Sequence, residues 1–336
     1  MKGGLPLARK PKDTDYLFLS AALRSREREL LDRSHVDRML HAASLAESAQ
    51  VLTELGYPPF DPASEGSLNG AIAQVRTEMF RELEQKMPDK GILDVFKLKY
   101  DYHNLKTLIK SRGADVRRLL VDAGRVRADE LVSKYQQTGK WSFLPPVPAE
   151  AAEEAARVLA ETGDPQRSDF LLDKAYFSEL SAMAGATNCG FLMDYVRTLI
   201  DAANLRSVVR TLRMHRAGTF LQQVLFEGGA VTVDRILADV NDGVAALYRA
   251  TPLAGAAELG QEAVSGGSLT AFEKACDNAV LAKAATSRSV PFGPEVPIGY
   301  VVARENDFTS ARIILTGLQA GLDADTIRER LRDSYV

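Results

Sequence analysis

The chain has 336 residues, 46% hydrophobic and 26% charged, a globular composition that excludes a wholly disordered protein. Its 42 basic residues nearly balance its 45 acidic ones, which argues against a polybasic nucleic-acid binder. The two cysteines exclude a disulfide scaffold, and without a run of about 18 apolar residues we expect no membrane span.

Helical periodicity runs along nearly the whole chain. The first amphipathic pattern covers residues 14–32, and a capping signal from Ser34 to Asp37 opens a second helix that continues to about residue 55. The proline-rich stretch 140–148 predicts a connector, and Val231 to Val233 is the best strand candidate. Further helices are predicted at residues 67–86, 91–112, 149–161, 166–184, 190–216, 231–249, 269–286, 298–316 and 323–334. The sequence therefore predicts an all-α protein.

The known catalytic and binding motifs are absent. The sequence lacks GxxxxGKS/T, GxGxxG, HExxH, CxxC and GxSxG patterns. His35 and His41 are six residues apart, so they point in different directions on a helix and would chelate a metal poorly. A catalytic pair of Cys189 and His215 stays open, although a small buried cysteine is the more common state. We therefore expect no cofactor and no metal.

An internal repeat is the most informative feature of the sequence. The segment LDVFKLKYDYHNLKTLIK, Leu93 to Lys110, aligns without gaps with MDYVRTLIDAANLRSVVR, Met193 to Arg210. The matching polar positions, which we call the repeat motif, are Asp94, Lys97, Asp101 and Asn104 in the first copy and Asp194, Arg197, Asp201 and Asn204 in the second. Charges three and four residues apart on a helix can form a ladder, each exposed pair contributing about 0.2–0.5 kcal/mol. A ladder repeated twice indicates a shared packing geometry more than a shared chemistry.

Weaker repeats extend this pattern to the whole chain. A degraded third copy, Glu305 to Gly317, places Asp307 and Ser310 where Asp101 and Asn104 stand. A second signature links LLDR at residues 30–33, LLDK at residues 171–174 and, less closely, FEK at residues 272–274. A period near one hundred residues indicates three similar helical domains rather than a solenoid of short repeats. We expect an N-terminal tail at residues 1–13 and domains at residues 14–114, 115–218 and 219–336.

Basic residues follow the repeat motif on the same helices. In the second copy Arg206, Arg210 and Arg213 have spacings of four and three, so they share one helix face. Lys106 and Lys110 begin the same face in the first copy. One interpretation is a solvated surface; the other is a possible interface that meets acidic surfaces of a partner.

Several segments resemble one protein family. KYDYHNLKTLIKSRG, Lys99 to Gly113, resembles the signature of the C subunit of V/A-type rotary ATPases, a family that includes the d subunit of the eukaryotic V-ATPase. Tyr16 to Leu40 is similar to the family's N-terminal helices, LLDKAYFSEL and the second repeat copy to its middle domain, and Phe308 to Leu331 to its C-terminus. The resemblance covers nearly the whole chain. The residues before Asp13 and the glycine-rich stretch 255–267 depart from the family pattern.

The resemblance implies three helical domains in a funnel-shaped socket with pseudo-threefold symmetry. Such a protein is non-catalytic, binds no cofactor or nucleic acid, and is peripheral on the cytoplasmic face of the membrane. It sits on the proteolipid ring and receives the tip of the central stalk, made of the D and F subunits. It transmits torque during ion-translocating ATP synthesis or hydrolysis through complementary shape and charge.

Two alternatives from other classes stay open. A helical enzyme would use His103, Asp101 and Asn104 in a cleft between domains, which requires these groups to converge on a pocket. A helical-repeat adaptor or scaffold unrelated to rotary ATPases would be distinguished by the genes that neighbour its own.

Overall fold

The computed structural model describes residues 11–111, 113–215 and 218–336. Within these ranges the chain forms sixteen α-helices, several short 3₁₀ segments and no β-strand, which confirms the all-α prediction. The helices are α1 (Leu17–Arg26), α2 (Arg33–Leu40), α3 (Leu45–Glu54), α4 (Ser67–Lys86), α5 (Lys90–Ser111), α6 (Ala128–Thr138), α7 (Pro146–Thr162), α8 (Pro165–Thr187), α9 (Gly190–Arg213), α10 (Gly218–Val224), α11 (Val233–Asp239), α12 (Val244–Tyr248), α13 (Ala254–Val264), α14 (Leu269–Ala285), α15 (Glu295–Gln319) and α16 (Ala324–Arg330). Most of the predicted tail, and the predicted helix ends at residues 112 and 216, lie outside the described residues.

Local sequence signals set the α7–α8 hairpin. Gly163 ends α7 with a φ of 68°, a left-handed conformation that glycine adopts without strain. Asp164 then caps α8, its carboxylate accepting the Gln166 N–H at 2.9 Å, and Pro165 occupies the first helical position, where no N–H is needed. A connection this short brings α7 and α8 together as packed antiparallel neighbours.

The predicted limits of the first two helices are wrong. The expected helix over residues 14–32 ends at Arg26, followed by a 3₁₀ turn and the extended backbone of Leu30. The next helix is capped by Asp32 rather than by the signal at Ser34, because the Asp32 carboxylate accepts the N–H three residues later at 2.7 Å. That helix ends at Leu40, and Ser44 caps a separate helix, α3.

The region after α9 also differs from the prediction. Val231 is not in a strand but in a loop, and Thr232 caps α11. The expected helix over residues 231–249 breaks at Gly243, which has a φ of 110°. The sequence periodicity does not predict α6, α10 and α13, which are short or carry glycine.

Buried apolar side chains form three clusters. The first core cluster lies around α1, α5, α7 and α8 and includes Leu98 and Leu172. The second core cluster joins α9 to α12, α13 and α14 through Tyr248 and Phe272. The third core cluster packs α2 and α3 against α15 and α16, with Phe308 fully buried at its centre. Helices from near the two ends of the chain therefore share the third core cluster.

Polar contacts strengthen this junction of the two chain ends. Arg24 of α1 donates to the carbonyl oxygens of Ser287 at 2.6 Å and Val290 at 2.7 Å. The Ser334 hydroxyl donates to the carbonyl oxygen of Leu31 at 2.9 Å. In the part of the chain that the structure describes, no helix combines the length and apolarity that crossing a membrane requires.

Candidate functional site

The two motif asparagines hold the loops that follow their own helices. Asn104 on α5 is fully buried; its Nδ2 donates to the Val121 carbonyl oxygen at 2.9 Å, and its Oδ1 accepts the Val121 N–H at 2.8 Å. Asn204 on α9 makes the same two bonds with Phe226, both at 2.8 Å. A side-chain amide carries a donor and an acceptor, so it satisfies both backbone groups of one residue. Each asparagine thus fixes one residue of its loop.

Asp101 grips the first loop at a second point. Its Oδ1 accepts the backbone N–H of Arg125 at 2.8 Å and of Val126 at 3.2 Å. The Arg125 side chain donates its Nε to Asp101 Oδ2 at 2.6 Å and pairs through Nη2 with Glu179 of α8 at 3.0 Å. Asp101 therefore connects α5 to its loop and, through Arg125, to α8.

Asp201 makes equivalent hydrogen bonds to the backbone of the second loop. Its carboxylate accepts the backbone N–H groups of Ala230 and Val231, both at 3.1 Å. Ala230 stands where the first loop has Arg125, so the second loop lacks the side-chain connection to a neighbouring helix. We call Asp101 with Asn104 the first clamp and Asp201 with Asn204 the second clamp.

A glycine makes room for each clamp aspartate. A Cβ on Gly124 would overlap Asp101 Oδ1, and a Cβ on Gly229 would overlap Asp201 Oδ1. The two loops, VDAGRV at residues 121–126 and FEGGAV at residues 226–231, align without gaps at an offset of 105. The motif helices align at an offset of one hundred, so a comparison made at that offset misses the match between the two loops.

The clamp aspartates are buried carboxyl groups. Burial raises the pKa of Asp101 and of Asp201, although the loop N–H donors, and Arg125 for Asp101, favour the charged form. Their oxygens already accept bonds from the loops, so they are occupied as hydrogen-bond acceptors rather than presented to a substrate. The arrangement orders the backbone of the two loops.

In the third copy of the motif, Asp307 binds the backbone near the start of the chain. Asp307 Oδ2 on α15 accepts the Leu31 N–H at 3.2 Å, across 276 positions of sequence, and lies 3.6 Å from Arg304 Nη1. Ser310, at the asparagine position, is buried. Burial raises the pKa of Asp307 to about 7, although Arg304 and the Leu31 N–H oppose this shift. In the third copy, the segment before α2 thus occupies the position that the loop following the motif helix occupies in the other two copies.

The predicted charge ladder is largely replaced by other contacts. Lys97 pairs with Glu84 of α4 rather than with Asp94, and burial lowers the pKa of Lys97. In the second copy Arg197 Nη1 lies 3.4 Å from Asp194 Oδ1, a pair that is half-exposed. Helical spacing shows which charges can meet, but here helix packing offers Lys97 a nearer carboxylate.

Four of the five possible interface residues form ion pairs within the chain. The pairs are Lys106–Asp173 (2.5 Å), Lys110–Asp169 (3.2 Å), Arg206–Asp277 and Arg210–Glu273 (2.6 Å). The acidic partners are four residues apart on α8 and on α14, so these helices pack alike against α5 and α9. Asp173 therefore corresponds to Asp277. The sequence alignment had paired Asp173 with Glu273, which lies one helical turn earlier. An interface role for these residues stays a prediction.

Arg213, the fifth residue of that set, binds backbone instead. Its Nη1 donates to the carbonyl oxygens of Ala263 at 2.9 Å and Gly267 at 2.7 Å. Ala263 lies in the last turn of α13 and Gly267 follows the end of that helix, where a cation is favoured. Arg213 thus joins α9 to the end of α13.

The histidines and cysteines stand apart from one another. His35 and His41 each contact groups at their own end of α2. Cys189 precedes α9 and His215 follows it, so the length of that helix separates them by roughly 36 Å. Among the described residues, no three His, Cys, Asp or Glu side chains are grouped to hold a metal ion.

The side chains of the enzyme alternative do not converge. His103 is exposed, and its Nε2 lies 3.2 Å from the Leu119 carbonyl oxygen. Asp101 and Asn104 are buried beneath the loop and bonded to its backbone. A catalytic site would need these groups around a shared pocket, which this geometry does not provide.

Comparisons with known proteins identify the family. Residues 19–330 match the family described as ATP synthase (C/AC39) subunit. The C subunit of the V-type sodium ATPase of Enterococcus hirae is 22% identical over 96% of this chain and 99% of its own. The C subunit of the A-type ATP synthase of Methanocaldococcus jannaschii is 24% identical over 94% and 86%, and that of the V-type ATP synthase of Thermus thermophilus is 25% identical over 94% and 98%. These matches confirm the resemblance seen in the sequence: the chain belongs to the ATP synthase (C/AC39) subunit family.

Proposed function

We propose that this chain is the non-catalytic central-stalk subunit of a V/A-type rotary ATPase. It couples the rotor shaft, made of the D and F subunits, to the membrane proteolipid ring. The observation that carries the proposal is the family match over residues 19–330, together with relatives that align over nearly their full length. In this role the chain carries torque during ion-translocating ATP synthesis or hydrolysis, and it takes part in no covalent step.

The clamps support a mechanical role. A part that transmits torque has to resist twisting, so its loops need fixed attachment to its helices. The first clamp holds Val121, Arg125 and Val126 against α5, and the second holds the equivalent residues against α9. Ion pairs then join α5 to α8 and α9 to α14. These contacts favour a rigid socket over a flexible adaptor.

We also propose the arrangement of the molecule in the complex. The units at residues 14–114, 115–218 and 219–336 form a pseudo-threefold funnel on the cytoplasmic face of the membrane. The equivalence of the two clamps supports related first and second units. The third core cluster, which packs α2 and α3 against α15 and α16, supports a contact between the first and third units.

Co-purification and pumping assays test this proposal. The tagged chain is expected to retain the shaft and ring proteins when membranes of its source are solubilised with mild detergent. Deletion of its gene should leave ATP hydrolysis by the catalytic head but abolish ATP-driven ion uptake into membrane vesicles, and adding back the purified chain should restore uptake. Failure to retain any rotary component, with normal ion uptake after deletion, would overturn the proposal.

A further inference from the structure

Each motif helix carries a cation two positions after the asparagine position. Lys106 of α5 and Arg206 of α9 both pair with an aspartate of a neighbouring helix. Arg312 occupies this position on α15, but its Nε donates at 2.9 Å to the neutral amide of Asn69. No carboxylate of the described residues lies within ion-pair distance of Arg312, and the remaining residues of the chain include no Asp or Glu.

The surroundings of Arg312 have an excess of positive charge. Arg76 and Lys99 share one carboxylate, that of Glu305, at 3.0 and 2.9 Å. Burial and the nearby Arg76 lower the pKa of Arg312, although Glu305 opposes this shift. Three cations thus surround the single carboxylate of Glu305. The equivalent cations of the other two copies, Lys106 and Arg206, each pair directly with an aspartate, although Arg206 shares Asp277 with Arg332.

A groove opens beside Arg312, between α15 and α16. It has a volume of about 370 Å³ and is lined by the apolar side chains of Ile313, Leu322 and Ile327. Arg330, also part of the lining, is exposed and makes no ion pair among the described residues. A Cβ on Gly317 would lie 2.7 Å from Ile327 Cγ1, so α16 packs directly on the backbone of α15 and the groove is firmly walled.

We propose that this α15–α16 groove docks an acidic amphipathic segment of a partner polypeptide. An apolar side chain of the partner enters the groove, and its carboxylates pair with Arg312 and Arg330. The groove is concave, so it fits a protruding side chain better than the flat surface of a bilayer. The inference rests on the proposed function only in naming the rotary complex as the place to look for this partner.

Photo-cross-linking in the assembled complex gives the first test. The photoreactive residue p-benzoylphenylalanine replaces Thr316 on the exposed groove wall, with Ser133 on α6 as the exposed control position. We expect a cross-link from position 316, and none from position 133, to a segment of another polypeptide rich in Asp and Glu. A complex that co-purifies but gives only a cross-link to lipid, to a second copy of this chain, or to no polypeptide overturns the docking proposal and leaves the proposed function intact.

Charge variants of the full-length chain give the second test. Arg312→Gln with Arg330→Gln should weaken retention of the chain on the complex by about tenfold or more and reduce its salt dependence, and lysine at both positions should restore it. The matched control, Arg81→Gln with Arg157→Gln, removes the same charge from arginines that already pair with glutamates of their own helices. Thermal melts establish that both variants are folded. Equal retention of a folded groove variant and its control would overturn the proposal.

A third test uses the purified chain alone, so it does not depend on the rotary complex. The probes are an immobilised helical peptide of leucine, alanine and glutamate, the same peptide with glutamine for glutamate, and phosphatidylglycerol vesicles. We expect saturable binding to the acidic peptide, weakened by about tenfold in the glutamine peptide and in the groove variant. Preference for the vesicles, or equal binding of both peptides, contradicts the inference.

Discussion

Two buried side-chain amides each supply hydrogen-bond partners that the backbone of a neighbouring loop would otherwise lack. A buried peptide group without a hydrogen bond costs about 1–3 kcal/mol, so a loop can cross the core surface only where something satisfies it. Asn104 and Asn204 do this with both ends of the amide. Aspartate in their place could accept a hydrogen bond but not donate one, which explains why the amide suits this position.

Alanine at either asparagine tests this role. Asn104→Ala and Asn204→Ala should each lower the free energy of unfolding by about 1–3 kcal/mol, because a donor and an acceptor of Val121 or Phe226 are left unpaired. Urea titration followed by circular dichroism measures the loss. Asn241→Ala, at an exposed position, is the control and should change stability by less than about 0.5 kcal/mol. Two buried variants as stable as this control would show that water replaces the amides without cost.

Two carboxyl groups on α15 show how strongly the surroundings decide protonation. Burial would raise the pKa of Glu305, but Lys99, Arg76 and the Tyr100 hydroxyl favour its charged form and lower it to about 2. Asp307, two residues later, has only Arg304 at 3.6 Å and one backbone N–H, so burial prevails and its pKa rises to about 7. The sequence, which places both acids on one helix, gives no sign of this difference.

At the scale of elements, the clamp loops depend on the two glycines that lie against the aspartates. Gly124→Ala and Gly229→Ala should each destabilise the protein by roughly 1–3 kcal/mol, because the added methyl group forces the aspartate away from the loop N–H groups. Gly185→Ala is the matched control: it lies within α8 with open space around it and should be neutral or stabilising by up to about 1 kcal/mol. Chemical denaturation of the three variants measures the differences. A loss at Gly185 equal to that at the clamps would point to a general intolerance of alanine.

The sequence predicted the long helices well because each carries a continuous apolar face and clear end signals. The helix over residues 67–86 was predicted to the residue, and α5 and α9 to within a few. The sequence-based prediction missed α13, an alanine- and glycine-rich segment that becomes helical by packing against α9 and α14. Tertiary packing, which overrides local propensity, explains that error.

The candidate site was predicted only in part for a similar reason. The repeat pointed to Asp101, Asn104, Asp201 and Asn204, and these residues do form equivalent contacts. Their partners could not be found by helical spacing, because a loop backbone leaves no side-chain pattern in the sequence. The loops VDAGRV and FEGGAV share a glycine, and a comparison at an offset other than one hundred would have found this match.

At the scale of the whole molecule, the helix contacts run in a cycle. Helix α5 packs against α8, α9 packs against α14, and α15 packs back against α1 and α3 near the start of the chain. The clamps follow the same order, since Asp101 and Asp201 hold loops that follow their helices while Asp307 holds Leu31. The contact between Asp307 and Leu31 is therefore one of the bonds that join the two ends of the chain.

The protonation of Asp307 should make this closure depend on pH. The pKa of Asp307 is about 7 in the folded chain and 3.8 without its environment, so between these values the folded state binds a proton that the unfolded state has lost. Stability from this group is therefore full below about pH 4 and falls as the pH rises to about 7, by up to about 1.4 kcal/mol per pH unit. Of the groups that interact with it, Arg304 has a raised pKa, and burial raises the pKa of Tyr57 and of Tyr300, so none of these three titrates in this window.

Asp307→Asn removes this titration while keeping an oxygen that can accept the Leu31 N–H. Denaturant unfolding of the wild type and the variant across the window from about pH 4 to about pH 7 should show a smaller fall in the variant. Hydrogen exchange should locate the difference: toward neutral pH the wild type loses protection first in α2 and α15, while the second core cluster, built on α9 and α14, keeps its protection at both pH values. If the pH dependence of wild type and variant is identical, or if protection falls equally in all three clusters, then ionisation of Asp307 does not control the junction of the chain ends.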